Sequence, residues 1–205
     1  MFLISCQRAV RAYIKEYALK IKKSKILDIG CGDGEYTSFF CSNDNEVFGL
    51  DIKNRVRQEF RKFQFVKGNA ESLPFPDESF DLIISFDVLE HIHDDLKAIK
   101  EMHRVLKEGG NLFLETPNRE RLSYWLLLII GKKRNYPLKL GEDCIHLREY
   151  TKPELKKKFK EANFRKIEII PFWLGLRGGW FDKGIVKPPN FLERLCQCYF
   201  LKAKK

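Results

Sequence analysis

The sequence predicts an α/β fold, a mostly parallel sheet covered by helices. Three observations carry this: short apolar runs alternate with segments of helical spacing, the runs stop at glycine or aspartate, and 205 residues suit one domain with a full core. Apolar positions at Val10, Tyr13, Ile14, Tyr17, Ala18 and Ile21 give residues 7–23 a helical period. Lys25 to Ile29 is a first strand that ends at glycines, and a helix is expected from Glu35 to about Cys41. Val47 to Leu50 is a second strand ending in Asp51, Phe63 to Val66 a third, and Phe80 to Ser85 a fourth. A helix from about Asp94 to Leu106 should end at Gly109-Gly110, before a fifth strand, Asn111 to Glu115, closed by Pro117. A mostly apolar helix, about Arg121 to Ile130, leads into a loop from Gly131 to Arg148. Thr151-Lys152-Pro153-Glu154 is a helix start, with Thr at the cap and Pro and Glu in the first turn; that helix should run to about Asn163. Lys166 to Ile170 is a sixth strand and Cys198 to Leu201 a candidate seventh. Pro171 to Pro189, between them, has no clear period.

Composition narrows the class. Hydrophobic residues at 44% and charged residues at 32% exclude a disordered chain. No run reaches the roughly 18–20 apolar residues of a membrane-spanning helix; Leu126 to Ile130, with Tyr124 and Trp125, is far shorter. Arg8 and Arg11 stand where a signal-peptide cleavage site would sit. The expectation is a cytoplasmic protein whose cysteines, Cys6, Cys31, Cys41, Cys144, Cys196 and Cys198, stay reduced. Their spacing supports neither a zinc knuckle nor a disulfide framework.

The net charge of +10 is uneven. Residues 1–25 hold seven basic residues and one acidic; residues 26–120 hold 11 basic and 19 acidic; residues 121–205 hold 20 basic and eight acidic. Basic flanks suit an anionic partner, or are solvated helix faces such as Lys156-Lys157-Lys158. The acidic centre suits an uncharged or cationic ligand.

Asp28-Ile29-Gly30-Cys31-Gly32-Asp33-Gly34 lies between the first strand and the next helix. Glycines at 30, 32 and 34 let the backbone turn tightly and let a ligand lie against it. The spacing is not the G-x-G-x-x-G of pyrophosphate-binding folds, and Asp28 and Asp33 would repel a pyrophosphate. An ammonium or sulfonium ligand fits better. Asp51 is placed to accept both hydroxyls of a ribose, or else to cap the residues after it. Asn69 could bond an adenine edge, with Leu73 or Phe75 near the ring.

ILDIGCGDG, GLDI, GNAESLPFPDESFDLIISFDVLEHI and RVLKEGGNLFLETPN resemble, in this order, the motifs of S-adenosylmethionine-dependent methyltransferases of the Rossmann-like class, most of all the quinone-biosynthesis branch. The resemblance covers roughly residues 24–170. It implies a three-layer sandwich with a seven-stranded, mostly parallel sheet whose last strand, 198–203 here, is antiparallel. It implies S-adenosylmethionine as cofactor and S-adenosylhomocysteine as product. Asp28, Gly30, Cys31, Gly32 and Gly34 would line its methionine end, Asp51 would bind the ribose, and Ile52 would pack on adenine. Asn69 with Ala70 would hold the adenine amino edge, and Glu71 and Phe86 complete the set. Relatives often carry Asp where Asn69 stands; the amide carbonyl can accept the same bond.

A sulfonium is already an activated leaving group, so alignment is the main task and no nucleophilic triad is needed. His91, His93 and His146 are candidate bases for a hydroxyl acceptor. Asp87, Glu90 and His91, at i, i+3 and i+4, resemble the E-x-x-E-H metal site of related enzymes acting on quinone precursors or small-RNA 3′ ends. In the RNA enzymes a second histidine, here His146 in His146-Leu147-Arg148-Glu149-Tyr150-Thr151, joins the metal, and Thr116-Pro117-Asn118 is also shared. Asp87 is one methylene shorter than their glutamate. Glu-His at this place is also common in relatives without metal. The expectation is no metal, with Asp87, Glu90, His91 and His146 as the alternative set.

The chain reads as one domain, 1–205, with a cofactor core at 24–118 and acceptor-side segments at 1–23, 119–150 and 171–195. Tyr124, Trp125, Tyr136, Phe172, Trp173, Trp180 and Phe181 beside Lys132, Lys133, Arg134, Arg177 and Lys183 form either a second small core or a pocket for an apolar acceptor with an anionic part. The expected acceptor is small or lipid-like, methylated at oxygen or carbon. The alternative is an RNA methyltransferase of the 2′-O type, with or without a metal, using the basic flanks. The same flanks could meet an anionic membrane surface. A third reading, a cofactor-binding protein without an acceptor site, keeps the motifs but not the transfer.

Overall fold

The computed structural model describes residues 5–42, 44–133, 135–139, 145–176 and 183–205. Its elements run α1 (Cys6–Ala18), β1 (Lys25–Ile29), α2 (Glu35–Ser38), β2 (Glu46–Asp51), β3 (Gln64–Lys67), β4 (Phe80–Phe86), α3 (Asp95–Val105) and β5 (Leu106–Pro117). There follow α4 (Leu122–Ile129), β6 (Leu138–Lys139), β7 (Ile145–His146), α5 (Lys152–Glu161), β8 (Arg165–Phe172), β9 (Leu174–Leu176), β10 (Lys183–Ile185) and β11 (Cys198–Lys204). Seven strands form one sheet in the order β3-β2-β1-β4-β5-β11-β8. The first five are parallel, and β11 runs antiparallel to both β5 and β8. This is the expected α/β architecture with the antiparallel last strand.

Two faces of the sheet carry two cores. One packs α3 and α5 through Ile99, Met102, Leu155 and Phe159 against Leu27, Ile83 and Leu112. The other packs α1 through Val10 and Ile14 against Ile26, Ile84, Phe113 and Phe200. Tyr13 and Tyr17 of α1 lie over Phe200 and Phe113 at ring centroid distances of 4.6 and 4.0 Å. Phe172 and Trp173, 3% and 0% exposed, belong to this second core, so of the two readings of the aromatics these two follow the core one. Trp180, Phe181, Arg177, Arg134 and Cys144 lie outside the described residues. Among the described residues Cys31, Cys41, Cys196 and Cys198 are free thiols.

Several boundaries differ from expectation: α1 ends at Ala18, short of residue 23, and the loop before Arg148 holds the short pair β6 and β7. The helix after the glycine turn is a single turn, Glu35–Ser38. Gly109-Gly110 lies inside β5 rather than ending α3: Phe80 pairs with Leu106 and Leu82 with Asn111, so Lys107 to Gly110 bulge out of the ladder, with Gly109 at φ +75°. The aperiodic stretch after β8 forms a two-stranded hairpin, β9 with β10. The α5 start is as read, with Thr151 and Glu154 forming a capping box. Among the described residues no helix is long and apolar enough to cross a membrane.

Candidate functional site

In parallel sheets of this kind ligands lie beyond the carboxyl ends of the strands, and two groups of side chains gather there. The first is the glycine turn after β1. Gly30, Gly32 and Gly34 have φ of +79°, +52° and +87°, which side chains rarely adopt. The Gly30 and Cys31 N–H groups both donate to the Leu50 carbonyl at 2.7 and 3.1 Å. The Gly32 N–H donates to Asp51 Oδ2 at 3.0 Å. The turn is thereby tied to the end of β2. A Cβ on Gly30 would sit 2.3 Å from Val88, whereas one on Gly32 would meet nothing nearer than 4.0 Å. Gly30 is glycine for packing. Gly32 presents an open cradle.

Asp28, beneath the turn, is 2% exposed and accepts the Thr37 hydroxyl proton at 2.5 Å. Burial outweighs that bond and, with Asp51 nearby, pushes its carboxyl up to about 7. Asp51 is 7% exposed, and its Oδ1 accepts the Lys53 N–H at 3.0 Å. Both readings of Asp51 are therefore present in its surroundings: it caps the following turn, and each oxygen keeps a lone pair for a further donor. Ile52 beside it is 62% exposed, available to an apolar ring. Asn69 Oδ1 accepts the Glu71 N–H at 3.0 Å, and Ala70 beside it is buried. Glu71 Oε1 accepts the Asp94 N–H at 3.2 Å, which ties this loop to the start of α3. Phe86 is built into the core, edge-on to Tyr36 and Phe113 at 5.7 and 5.5 Å.

The second group lies across β4 and β5. A 3-10 turn, Leu89–His91, follows β4, and Asp87 before it has φ +53°. Helical i, i+3, i+4 geometry does not hold through such a turn. The structure instead gathers Glu90, His91 and His146, with one candidate ligand atom from each all within 4.8 Å of one another. Asp87 is not part of that group. His146 comes from β7, far along the chain, because the segment after it is strapped to the 3-10 turn. The Leu147 N–H donates to the Glu90 carbonyl at 2.9 Å, and Arg148 donates to the carbonyls of Ile92 and His93, both at 2.8 Å. The Tyr150 hydroxyl donates to Asp95 at 2.7 Å. His93 is exposed and stands apart.

Each imidazole is oriented through Nδ1, His91 on the Ile145 carbonyl at 2.8 Å and His146 on Glu149 Oε1 at 3.0 Å, which leaves Nε2 for the shared space. Glu149 is fixed in turn by Arg121 Nη2 at 2.8 Å and by the Tyr136 hydroxyl at 2.6 Å. Burial opposes its ionisation, but the bonds from His146 and Arg121 prevail and hold the carboxyl at about 2. Glu90 Oε2 accepts the Thr116 hydroxyl proton at 3.0 Å, while the buried Glu90 Oε1 and Glu115 Oε2 have no partner. Burial, then the neighbouring Asp87, raises both of those carboxyls well above their ordinary range. A small cavity of about 40 Å³ opens here between α1 and the strand ends, lined by Cys6, Tyr36, Asp87, Glu115 and Cys198 among others. The sequence gives no sign of Glu115 here, and it places Tyr136 among the acceptor-side aromatics and Arg121 at a helix start rather than beside Glu149. Glu149 had a signal, its i, i+3 spacing from His146; Arg121 had none.

The fold, with the glycine turn after β1, is that of Rossmann-like methyltransferases. Residues 27–114 match the family model described as a methyltransferase domain. It is 31% identical over 154 residues to a probable S-adenosylmethionine-dependent methyltransferase of Mycolicibacterium smegmatis, covering 73% of this chain and 55% of the relative. The chain thus spans about half the length of that relative. It is 29% identical to the demethylmenaquinone methyltransferase of Anoxybacillus flavithermus, covering 76% of each. An S-adenosylmethionine-dependent methyltransferase of Thermotoga maritima has the same fold, with a TM-score of 0.69 at 20% identity, over 97% of this chain and 90% of that one.

Proposed function

We propose that this chain transfers a methyl group from S-adenosylmethionine to a small or lipid-like acceptor, at oxygen or carbon. The observation that carries the proposal is the Gly32 cradle, open above a backbone whose N–H is fixed on Asp51. Residues 24–118 would hold the cofactor, and residues 1–23, 119–150 and 171–195 would form the acceptor side. S-adenosylmethionine supplies a methyl on a sulfonium, already activated for displacement. The chain's own work is then to bind and align. Gly30, Cys31, Gly32 and Gly34 would seat the methionine end over Asp28. Asp51 would take the ribose hydroxyls, Ile52 would cover the adenine, and Asn69, Ala70 and Glu71 would border its edge. Phe86 would complete the cofactor-binding set from the core side. His91 or His146 would take a proton from a hydroxyl acceptor. The similarity to a demethylmenaquinone methyltransferase supports a quinol-like acceptor. We place the reaction in the cytoplasm.

A second reading is favoured by one observation, the convergence of Glu90, His91 and His146. The orphaned Glu90 Oε1 and the two oriented imidazoles fit a divalent cation. Such an ion would polarise an acceptor hydroxyl, and the acceptor could then be an RNA 2′-hydroxyl. Calorimetry with S-adenosylmethionine tests the main proposal; absence of binding by the unmutated chain would sink it. Labelled cofactor offered with quinone precursors, lipid extract and total RNA identifies the acceptor. Titration with Mn²⁺, Mg²⁺ or Zn²⁺, repeated on Glu90→Gln and His146→Asn, decides the metal.

A further inference from the structure

Helix α4 is apolar around its circumference, yet no residue of it is fully buried. Its sequence, Leu122 to Ile129, holds a single polar residue, Ser123, besides Tyr124. Ile129 and the following Ile130 are 79% and 65% exposed. Helices apolar around their whole circumference ordinarily lie in a core or a membrane. Here Leu122, Leu127 and Leu128 are half-buried while Trp125, Leu126 and Ile129 are exposed, and at eight residues the helix is about 12 Å long, too short to span a bilayer. What can cover it is limited by charge. From Arg121 to Gly141 the sequence has no acidic residue, while Lys132, Lys133 and Lys139 follow the helix and are exposed. Tyr124 and Trp125, rings suited to a headgroup boundary, stand at its start, and the Arg194 guanidinium lies 5.5 Å from the Trp125 ring. Phe191, in the same short turn as Arg194, is 82% exposed.

An exposed apolar helix face with cations at its end suits lipid, its side chains among the acyl chains and its lysines at anionic headgroups. We propose that α4, with Lys132, Lys133 and Lys139, docks this protein on an anionic lipid surface. The helix follows directly after Arg121, which holds Glu149 and through it His146. Docking would therefore set the acceptor side of the site against the membrane. The docking stands on the surface alone; that it delivers the acceptor rests on the lipid-like reading above.

The test is cosedimentation of the full chain with vesicles of phosphatidylcholine alone and of equimolar phosphatidylglycerol and phosphatidylcholine. The chain should bind the anionic vesicles, with a blue shift of tryptophan emission that Trp125→Phe abolishes. Lys132→Glu with Lys133→Glu should weaken binding about tenfold or more. Leu126→Asp with Ile129→Asp should remove it. All these positions are exposed, so thermal midpoints should stay where they are. Failure to bind anionic vesicles, or equal binding to neutral ones, overturns the proposal. So does a lipid-free dimer that Leu126→Asp with Ile129→Asp dissociates, since a second copy would then cover α4. Cofactor calorimetry reads the catalytic proposal separately: binding of vesicles without cofactor, or of cofactor without vesicles, tells the two failures apart.

Discussion

At the glycine turn, three consecutive residues hold the neighbouring strand end through backbone N–H groups: Gly30 and Cys31 on Leu50, and Gly32 on Asp51. At the other end of the same sheet edge, His146 is held by Glu149, and Glu149 by an arginine 28 residues back in the sequence. One region is made of backbone and needs glycine. The other is made of buried ions and needs partners brought from β4, β5, β7 and the loop before α4. Backbone turns leave a surface open to a ligand, whereas a buried ion lattice fixes a few atoms and excludes the rest. The two should fail differently when cut.

The largest effect is expected in the ion lattice. Arg121→Met leaves Glu149, whose side chain is 0% exposed, as a buried charge with fewer partners. Breaking a buried pair in this way costs about 3–5 kcal/mol. Denaturant unfolding should show a loss of that order, and Arg121→Met with Glu149→Leu together should recover part of it. A loss under about 1 kcal/mol would mean the lattice is not a structural unit.

Gly30→Ala comes next. Its Cβ would lie 2.3 Å from a Val88 methyl at a φ of +79°, which should cost roughly 2–4 kcal/mol. Gly32→Ala should cost only about 1–2 kcal/mol, the penalty of its φ, yet lose cofactor binding because the methyl occupies the cradle. Equal stability losses at the two positions, or intact binding by Gly32→Ala, would erase the distinction between packing glycine and ligand glycine. Asp51→Ala should weaken cofactor binding roughly tenfold to a hundredfold, the worth of about 1.5–3 kcal/mol of charged hydrogen bonding, measured by calorimetry.

The same contrast explains what the sequence made legible. The turn is local: Asp28 to Gly34 and Asp51 lie at the ends of two strands adjacent in both sequence and space, so motif and spacing sufficed. The strands and the start of α5 were legible for the same reason, since apolar runs and the α5 capping box are local signals. The β5 boundary was misread because Gly109-Gly110 is a helix stop and a bulge alike, and only the Phe80–Leu106 pairing decides between them. His91 with His146 was legible only by resemblance, because nothing local requires the strap of Leu147, Arg148 and Tyr150 onto the turn after β4. Asp87 was grouped with them by helical spacing, and its positive φ breaks that spacing.

The smallest effect concerns Asp28, the buried acid beneath the backbone-built turn. Its carboxyl is raised from 3.8 to about 7, chiefly by burial. The native state therefore binds a proton that the unfolded chain gives up near pH 4. That stability is complete below pH 4 and is lost as pH rises through 7. Asp28→Asn keeps an acceptor for the Thr37 hydroxyl and should flatten the fall of thermal midpoint between pH 5 and 8. A sulfonium seated above favours the ionised carboxylate, so S-adenosylmethionine should bind about threefold to tenfold more tightly at pH 8 than at pH 6. S-adenosylhomocysteine carries no sulfonium charge and should not show this rise, nor should Asp28→Asn with either ligand. If both ligands follow the same pH profile, Asp28 senses only its burial, and the acidic centre does not select the cofactor by charge.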